Sequence, residues 1–254
     1  MIAMGLGWAL LHTVAPRLPA ADAAWVARYE RVFVETRQTW TVAPTNSVIG
    51  WQFARACYDR AEFATNSAQK IDLARQGIAA ARASINLQPK IAAAHYYLAM
   101  NLGQLADATR SLGGLKLVSE MEREFKSARA FDAAFDYAGP DRSLGLLYRD
   151  APGWPISVGS RAKARQHLEK ACELSKDYPD NRLTLVEAWL KWGERKKVLP
   201  ELKSVAGILA DARPKLAGEE WASAWADWDK RWREILSKSF AEPVRPSESP
   251  KGGR

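Results

Sequence analysis

The stretch GIAAARASINLQPKIAAAHYYLAMNL, from Gly77 to Leu102, decides how this chain folds. Gly77, Ala81 and Ser84 recur four and then three residues apart, which puts small side chains on one face of a helix. Pro89 stops that helix, because its ring removes a backbone donor and excludes the helical conformation from the residue before it. The chain then restarts as His95-Tyr96-Tyr97-Leu98-Ala99, with Leu102 one turn beyond Leu98 and Ala99. Two helices whose facing positions are small can approach closely, while the large residues fill the remaining gap.

Working outward, the same grammar returns. Upstream, Phe53, Ala54 and Cys57 open a pair that Gly77, Ala81 and Ser84 complete. The pair opened at His95 takes Phe131 and Ala134 from its second helix before Pro140. A third begins Ser143-Leu144-Gly145-Leu146-Leu147-Tyr148, continues with Ala164, Leu168 and Ala171, and ends at Pro179. A fourth uses Leu185, Val186 and Trp189, turns at Gly193, and continues with Val198, Leu202 and Val205. Helical spacing and Pro or Gly breaks predict helices near 22–38, 46–62, 68–87, 91–108, 115–137, 141–149, 160–176, 181–192, 195–210 and 217–239, with no competing strand pattern. Leu112-Gly113-Gly114-Leu115 follows a helix rather than a strand and reads as a break, not a phosphate loop.

This arrangement resembles the tetratricopeptide repeat, with Leu-Gly-x-x-Tyr in one helix, Ala-x-x-x-Phe-x-x-Ala in the next and a closing Pro. The resemblance implies an all-α, right-handed α-α solenoid of helix pairs, each burying its open apolar face against the next. Four units over roughly 46–210 exceed the usual repeat length, with extra residues inside the first unit, after Gln104, and at Ala151–Ser157. Those expansions, with PDRSLGLLYRDAPGWP (140–155) and KARQHLEKACELSKDYPDNRLTLVEAWL (163–190), resemble a narrower group. It comprises bacterial helical-repeat proteins related to the T-component of TRAP transporters, with distant relatives among the regulator-of-microtubule-dynamics proteins. That resemblance implies an exported, periplasm-associated accessory of solute transport that acts through partners or a bound ligand, with no catalytic residues to transfer.

Composition fits. The chain has 254 residues, 47% hydrophobic and 26% charged, ample for a core. Ala and Leu outweigh Val and Ile, favouring helices. The net charge of +8 is spread among interspersed signs, so nucleic acid is not an expected partner. Two cysteines, Cys57 and Cys172, are too few for a disulfide framework and read as small buried hydrophobes.

The organisation read from the sequence has four parts. Residues 1–23 are a signal peptide or apolar leader: Ile2 to Ala15 is almost wholly apolar, and Ala21 and Ala23 give the small-x-small pattern of a cleavage site, although no basic leader precedes them. Residues 24–210 are the repeat domain, 211–240 a Trp-rich capping helix, and 241–254 a polar, Pro- and Gly-containing tail expected to be disordered. The expected location is periplasmic or secreted, with cytoplasmic as the alternative, and no integral membrane segment is expected.

Trp221, Trp225, Trp228 and Trp232, extended by Ile235, fall on one stripe. The stripe either caps the last repeat or docks another subunit or a membrane. Trp154 sits between two prolines, either displayed as an anchor or folded back as a plug. Asp141 is a plausible helix cap that leaves Arg142 in the first turn, disfavoured by the helix dipole unless a carboxylate, its own or a ligand's, holds it.

Catalysis needs convergent groups, and these are missing from the pattern. His12 lies in the leader, and His95 and His167 fall in different units without a metal-type partner. The expectation is a non-catalytic scaffold for a protein or peptide, without cofactor or metal. Candidate partner-binding residues, placed on the first helices that line the concave face of such arrays and on the loop, are Tyr96, Met100, Asn101, Arg142, Arg149, Trp154, Arg182 and Lys191. The alternative function is a carrier of a small apolar ligand between helices; a homo-oligomer is compatible with either.

Overall fold

The computed structural model describes residues 20–109 and 114–240, and side chains from Ala24 onward except Leu115. The expectations for His12, for most of the leader, for part of the Leu112–Leu115 break and for the tail beyond Phe240 lie outside these residues. Among the described residues ten α-helices follow one another: α1 (Ala20–Val42), α2 (Ser47–Ala61), α3 (Ser67–Leu87), α4 (Ala92–Thr109), α5 (Gly114–Phe131), α6 (Phe135–Asp150), α7 (Arg161–Leu174), α8 (Pro179–Lys191), α9 (Arg195–Ala212) and α10 (Ala222–Phe240), the last preceded by a 3-10 turn at Glu219–Trp221. The described residues contain no strand; one isolated bridge joins Gly153 to Gly159. The protein is an all-α solenoid.

Local chemistry sets the boundaries. Asn46 caps α2 by accepting from the amides of Val48 and Ile49, Asn66 caps α3 by accepting from Gln69, and Ser160 caps α7 by accepting from Lys163. Pro179 starts α8, where its missing N–H costs nothing. Gly193 ends it at φ +73°, a left-handed turn that a Cβ would oppose.

Packing follows the small-residue grammar. Consecutive helices stack antiparallel, α2 on α3, α4 on α5, α6 on α7 and α8 on α9, while α2, α4, α6, α8 and α10 form an inner row. Ala54, Cys57, Ala81, Ala99, Leu168 and Ala171 are buried. The thiols of Cys57 and Cys172 are free, and burial pushes the Cys172 thiol up to about 11. Gly145 meets α7 so closely that a Cβ would lie 2.5 Å from Leu168 Cδ2. In the second unit the expected core differs from the observed one. Phe131 is exposed, though its ring lies 5.3 Å from His95, and Ala134 sits in the connection after α5; Val118, Met121, Phe125 and Ala128 bury that helix instead.

Trp225, Trp228 and Ile235 are buried among Leu185, Val186, Trp189 and Val205, with Trp221 and Trp232 packed alongside. The Trp stripe therefore faces the protein's own last repeat. Trp225 also donates from Nε1 to the Leu216 carbonyl at 2.6 Å, so its polar edge is satisfied inside.

The array closes on itself. Helix α1 packs on α2 and also touches α10, where Tyr29 and Ser223 hydroxyls lie 2.6 Å apart and Arg31 faces Glu219 at 3.7 Å.

Candidate functional site

The inner row carries one continuous polar strip. It starts on α2, where Arg55 and Asp59, one turn apart, pair at 3.5 Å. Arg55 lies over the Tyr97 ring of α4 at 6.0 Å, and Tyr97 stacks on Trp51 at 6.1 Å. The next carboxylate is Asp136, at the start of α6. Its Oδ2 accepts from the Tyr96 hydroxyl and from Arg142 Nη2, each at 3.1 Å. Arg142 Nε meets Asp180 of α8 at 3.1 Å, and the other Asp180 oxygen accepts from Arg231 of α10 at 2.5 Å. Arg231 ends the strip with a fork onto Glu187 at 2.7 and 2.9 Å and bonds to Thr184 and Asp227.

The backbone that presents Asp136 is strained. Asp136, Tyr137 and Ala138 have φ of +50°, +54° and +62°, three successive left-handed residues with no glycine among them. Each L-residue in that region costs about 1–2 kcal/mol, so the surroundings must impose it. Arg142 Nη1 reaches the Tyr137 carbonyl at 3.3 Å, and the buried Asn181 donates to the same carbonyl at 2.9 Å. The turn swings Tyr137 onto Tyr178, with ring centroids 4.3 Å apart, and sets Trp221 edge-on at 6.0 Å.

Electrostatics distinguish committed groups from reachable ones. Burial works against the Arg142 charge, but Asp180, the neighbouring tyrosines and Asp136 more than offset it, so it stays cationic. Burial, and then Asp136, raise the Tyr96 hydroxyl, which remains a neutral donor. Asp59 behaves otherwise: burial pushes its carboxyl up to about 6 against the pull of Arg55, with Asp136 and Glu62 adding to the rise. A quarter of its side chain, 26%, still meets solvent. Arg55 at 56% and Tyr137 at 42% are the open members, and Trp51, Phe135 and Trp221 are half-buried around them. This surface can grip an apolar or aromatic side chain between rings while Arg55 and the two carboxylates fix polar groups beside it.

The residues expected to line this face divide. Tyr96 and Arg142 belong to the strip but are buried, so they support it and do not form its open surface. Asn101 is fully buried: its Nδ2 donates to the carbonyls of Ala54 and Tyr97 at 2.9 and 2.8 Å, and it occupies the space left by Gly77, whose Cβ would sit 2.3 Å from Asn101 Oδ1. It ties α4 to α2. Met100 is half-buried in a crevice. Arg149 is committed to Asp150, Arg182 pairs with Glu201 at 3.3 Å, and Lys191 reaches Asp150 at 2.6 Å from an exposed position.

Trp154 is 89% exposed, which overturns the reading of it as a plug between helices. Asp141 does not act as a cap: its buried carboxylate accepts Arg129 Nε at 2.9 Å and meets His167 Nδ1 at 2.7 Å. Arg142 is held by the chain's own carboxylates, one of the two arrangements its position allowed. His95 joins Glu124 and the Pro89 carbonyl, a structural bracket between α4 and α5. Arg55, Asp59, Asp136 and Tyr137 were not expected, and Trp221 was expected only as part of the capping or docking stripe. The Arg55–Asp59 pair carried a usable signal, opposite charges one turn apart on a first helix.

Comparison with known proteins agrees with the helical-repeat fold. Residues 26–134 match the family model described as regulator of microtubule dynamics protein 1-3. The match spans α1 to α5 and ends before Pro140. Among solved structures, TTC0263, a thermophilic TPR protein of Thermus thermophilus, superposes with a TM-score of 0.60 at 17% identity, covering 86% of this chain and 100% of that one. Yeast Tom70 aligns at a TM-score of 0.31 and 10% identity, over 92% of this chain and 68% of its own. No curated protein matches the chain. The protein is a helical-repeat solenoid with a tetratricopeptide-like fold, similar over residues 26–134 to the regulator of microtubule dynamics family model.

Proposed function

We propose that this protein is a non-catalytic scaffold that binds an extended peptide segment of a partner protein along the inner row, across Trp51, Arg55, Asp59, Phe135, Asp136, Tyr137 and Trp221. The observation that carries this reading is the contrast within the strip. Arg142, Asp180 and Arg231 are spent holding three helices, α6, α8 and α10, in register, while a reachable cation, the exposed Tyr137 ring and half-buried rings beside it sit on that rigid base. A preorganised surface loses little freedom on binding, which is how modest contact area becomes affinity.

Export and service to a solute transport system form the finer part of the proposal. The apolar run from Ile2 and the small residues at Ala21 and Ala23 support it, and the mature mass of protein recovered from cells tests it. For the carrier alternative, the crevice lined by Tyr58, Met100, Met121, Phe125 and Leu147 leaves about 30 Å³, room for roughly one water, against several hundred for a small-molecule pocket.

A displayed library of random peptides selected on the intact protein provides the test. Selected peptides should lose at least tenfold in affinity on Tyr137→Ala or Arg55→Gln, measured at a temperature where circular dichroism shows each variant folded. Peptides that bind both variants as well as the parent would place recognition elsewhere and overturn the assignment.

A further inference from the structure

The loop 151–160 is an exposed apolar tip on a pinched neck. The Ser160 amide donates to the Tyr148 carbonyl at 2.9 Å and the Gly159 amide to the Pro152 carbonyl at 2.8 Å, closing the base. A Cβ on Gly159 would lie 2.1 Å from the Ala151 carbonyl, so only glycine permits this approach. Beyond the neck, Ile156 and Ser157 amides both return to the Gly153 carbonyl, and the chain displays Trp154 at 89% and Ile156 at 63% exposure on either side of Pro155. Trp and Ile held outward by the loop's own hydrogen bonds, on a convex tip, leave an apolar surface that nothing in the described chain covers.

The surroundings of the tip are basic. The segments flanking it, 149–165 and the α8–α9 turn at 191–197, carry eight basic side chains against two acidic ones, a net +6 out of the +8 of the whole chain. Contacts bring the segments together: Lys191 reaches Asp150, and Arg161 and Arg165 reach Glu194 while lying over the Trp192 ring at 5.2 and 5.1 Å. Both carboxylates are already engaged, Asp150 by Arg149 and Lys191 and Glu194 by Arg161, Arg165 and Lys197. Glu194 is held down to about 2, first by its bond from Arg165, so it does not take up a proton to alter the balance near neutrality.

We propose that this end of the molecule docks peripherally on an anionic lipid bilayer, with Trp154 and Ile156 seated at the headgroup level and the basic segments 149–165 and 191–197 against the charged surface. A protruding tip suits a deformable interface, whereas a protein partner would need a pocket shaped to receive it. Tryptophan favours the membrane–water boundary, and clusters of four to eight Lys and Arg are the usual reader of anionic headgroups. No described helix is long and apolar enough to cross a membrane, so attachment would rest on these two contributions together. The inference is independent of the peptide-binding reading, because it uses the opposite end of α6.

Vesicle flotation of the full chain tests it, with phosphatidylcholine alone and with added phosphatidylserine. The parent should float with the mixed vesicles only, and raised salt should release it. Trp154→Ala with Ile156→Ser should weaken binding at least tenfold, and Lys163→Glu with Lys196→Glu should abolish it; all four positions are solvent-exposed, so each variant should melt like the parent. No flotation of the parent, or flotation unchanged by the loop substitutions, would overturn the proposal. Capture by soluble polyglutamate that the loop substitutions abolish, with no vesicle binding, would overturn it in favour of an acidic protein partner.

Discussion

Replacing Arg142 by Met tests whether the strip is held together from its centre. Met keeps much of the stem's volume but removes the charge and every donor. The structure gives Arg142 two carboxylates, Asp136 and Asp180, the Asn181 side-chain oxygen at 2.9 Å and the Tyr137 carbonyl. Breaking a buried pair by removing one partner costs about 3–5 kcal/mol, because the remaining charge is left uncompensated. Two features pull the value to the lower end. Asp180 keeps Arg231, and Asp136 retains partial contact with solvent, 29% of its side chain. Freeing the left-handed turn also returns some strain. About 3 kcal/mol remains, and for a chain of this size each kcal/mol moves the midpoint by about 2–4 °C, so the melting temperature should fall by about 6–12 °C. Far-ultraviolet circular dichroism on heating reads this directly. Adding Asp136→Asn should restore part of the loss, since the stranded charge goes with it. A single variant that melts within about 1 °C of the parent, or a double variant no better than the single, would refute the reasoning.

Two further outcomes follow from other parts of the molecule. Asp59 titrates near 6 when folded against 3.8 ordinarily, so the folded state binds its proton more tightly and the associated stability, present below pH 4, is lost as pH rises through 6. Asp59→Asn should flatten denaturant-measured stability over that window and raise it by about 1–2 kcal/mol at pH 8, allowing for its partial solvent contact; an unchanged pH profile would show that Asp59 ionises freely. Gly145→Ala places a methyl 2.5 Å from Leu168 Cδ2 and 3.2 Å from the Leu168 backbone nitrogen. The overpacking of about 1–3 kcal/mol should outweigh the roughly 1 kcal/mol gained in helix propensity, and a more stable variant would mean that α6 and α7 are free to separate.

How much of this was readable in advance depends on the distance over which each feature is decided. The helix pairs are set by spacing within twenty residues and by Pro and Asn at their ends, so Gly77, Ala81 and Ser84 revealed them. The left-handed turn is decided from outside. Nothing in Asp136-Tyr137-Ala138 marks such a turn, and the helix expected to run to 137 stops at Phe131 because Arg142 and Asn181 hold the connection in another shape. Which side chains of the inner row stay open is a narrower question. Adjacent positions on a helix are rotated by about 100°, so Asn101, one position beyond Met100, turns away from the inner face to tie α4 to α2, while Tyr96 reaches the strip from a buried position. Trp154 is the reverse case, where the prolines and glycine correctly marked a rigid loop but only three-dimensional packing could say which way the ring would turn.

The contact between α1 and α10 changes what kind of polymer this solenoid is. In a linear array each repeat feels only its neighbours, so the ends fray independently and units can be added without limit. Here Tyr29 meets Ser223 across 194 positions of sequence. Such a joint raises the mean sequence separation of contacts, which slows folding, and it makes the two ends of the array share one fate on unfolding. It also fixes the repeat number, because inserting another helix pair would part the ends. Lineages that lengthen the array would have to surrender the closed ring, and with it the shared curvature on which a common inner surface depends.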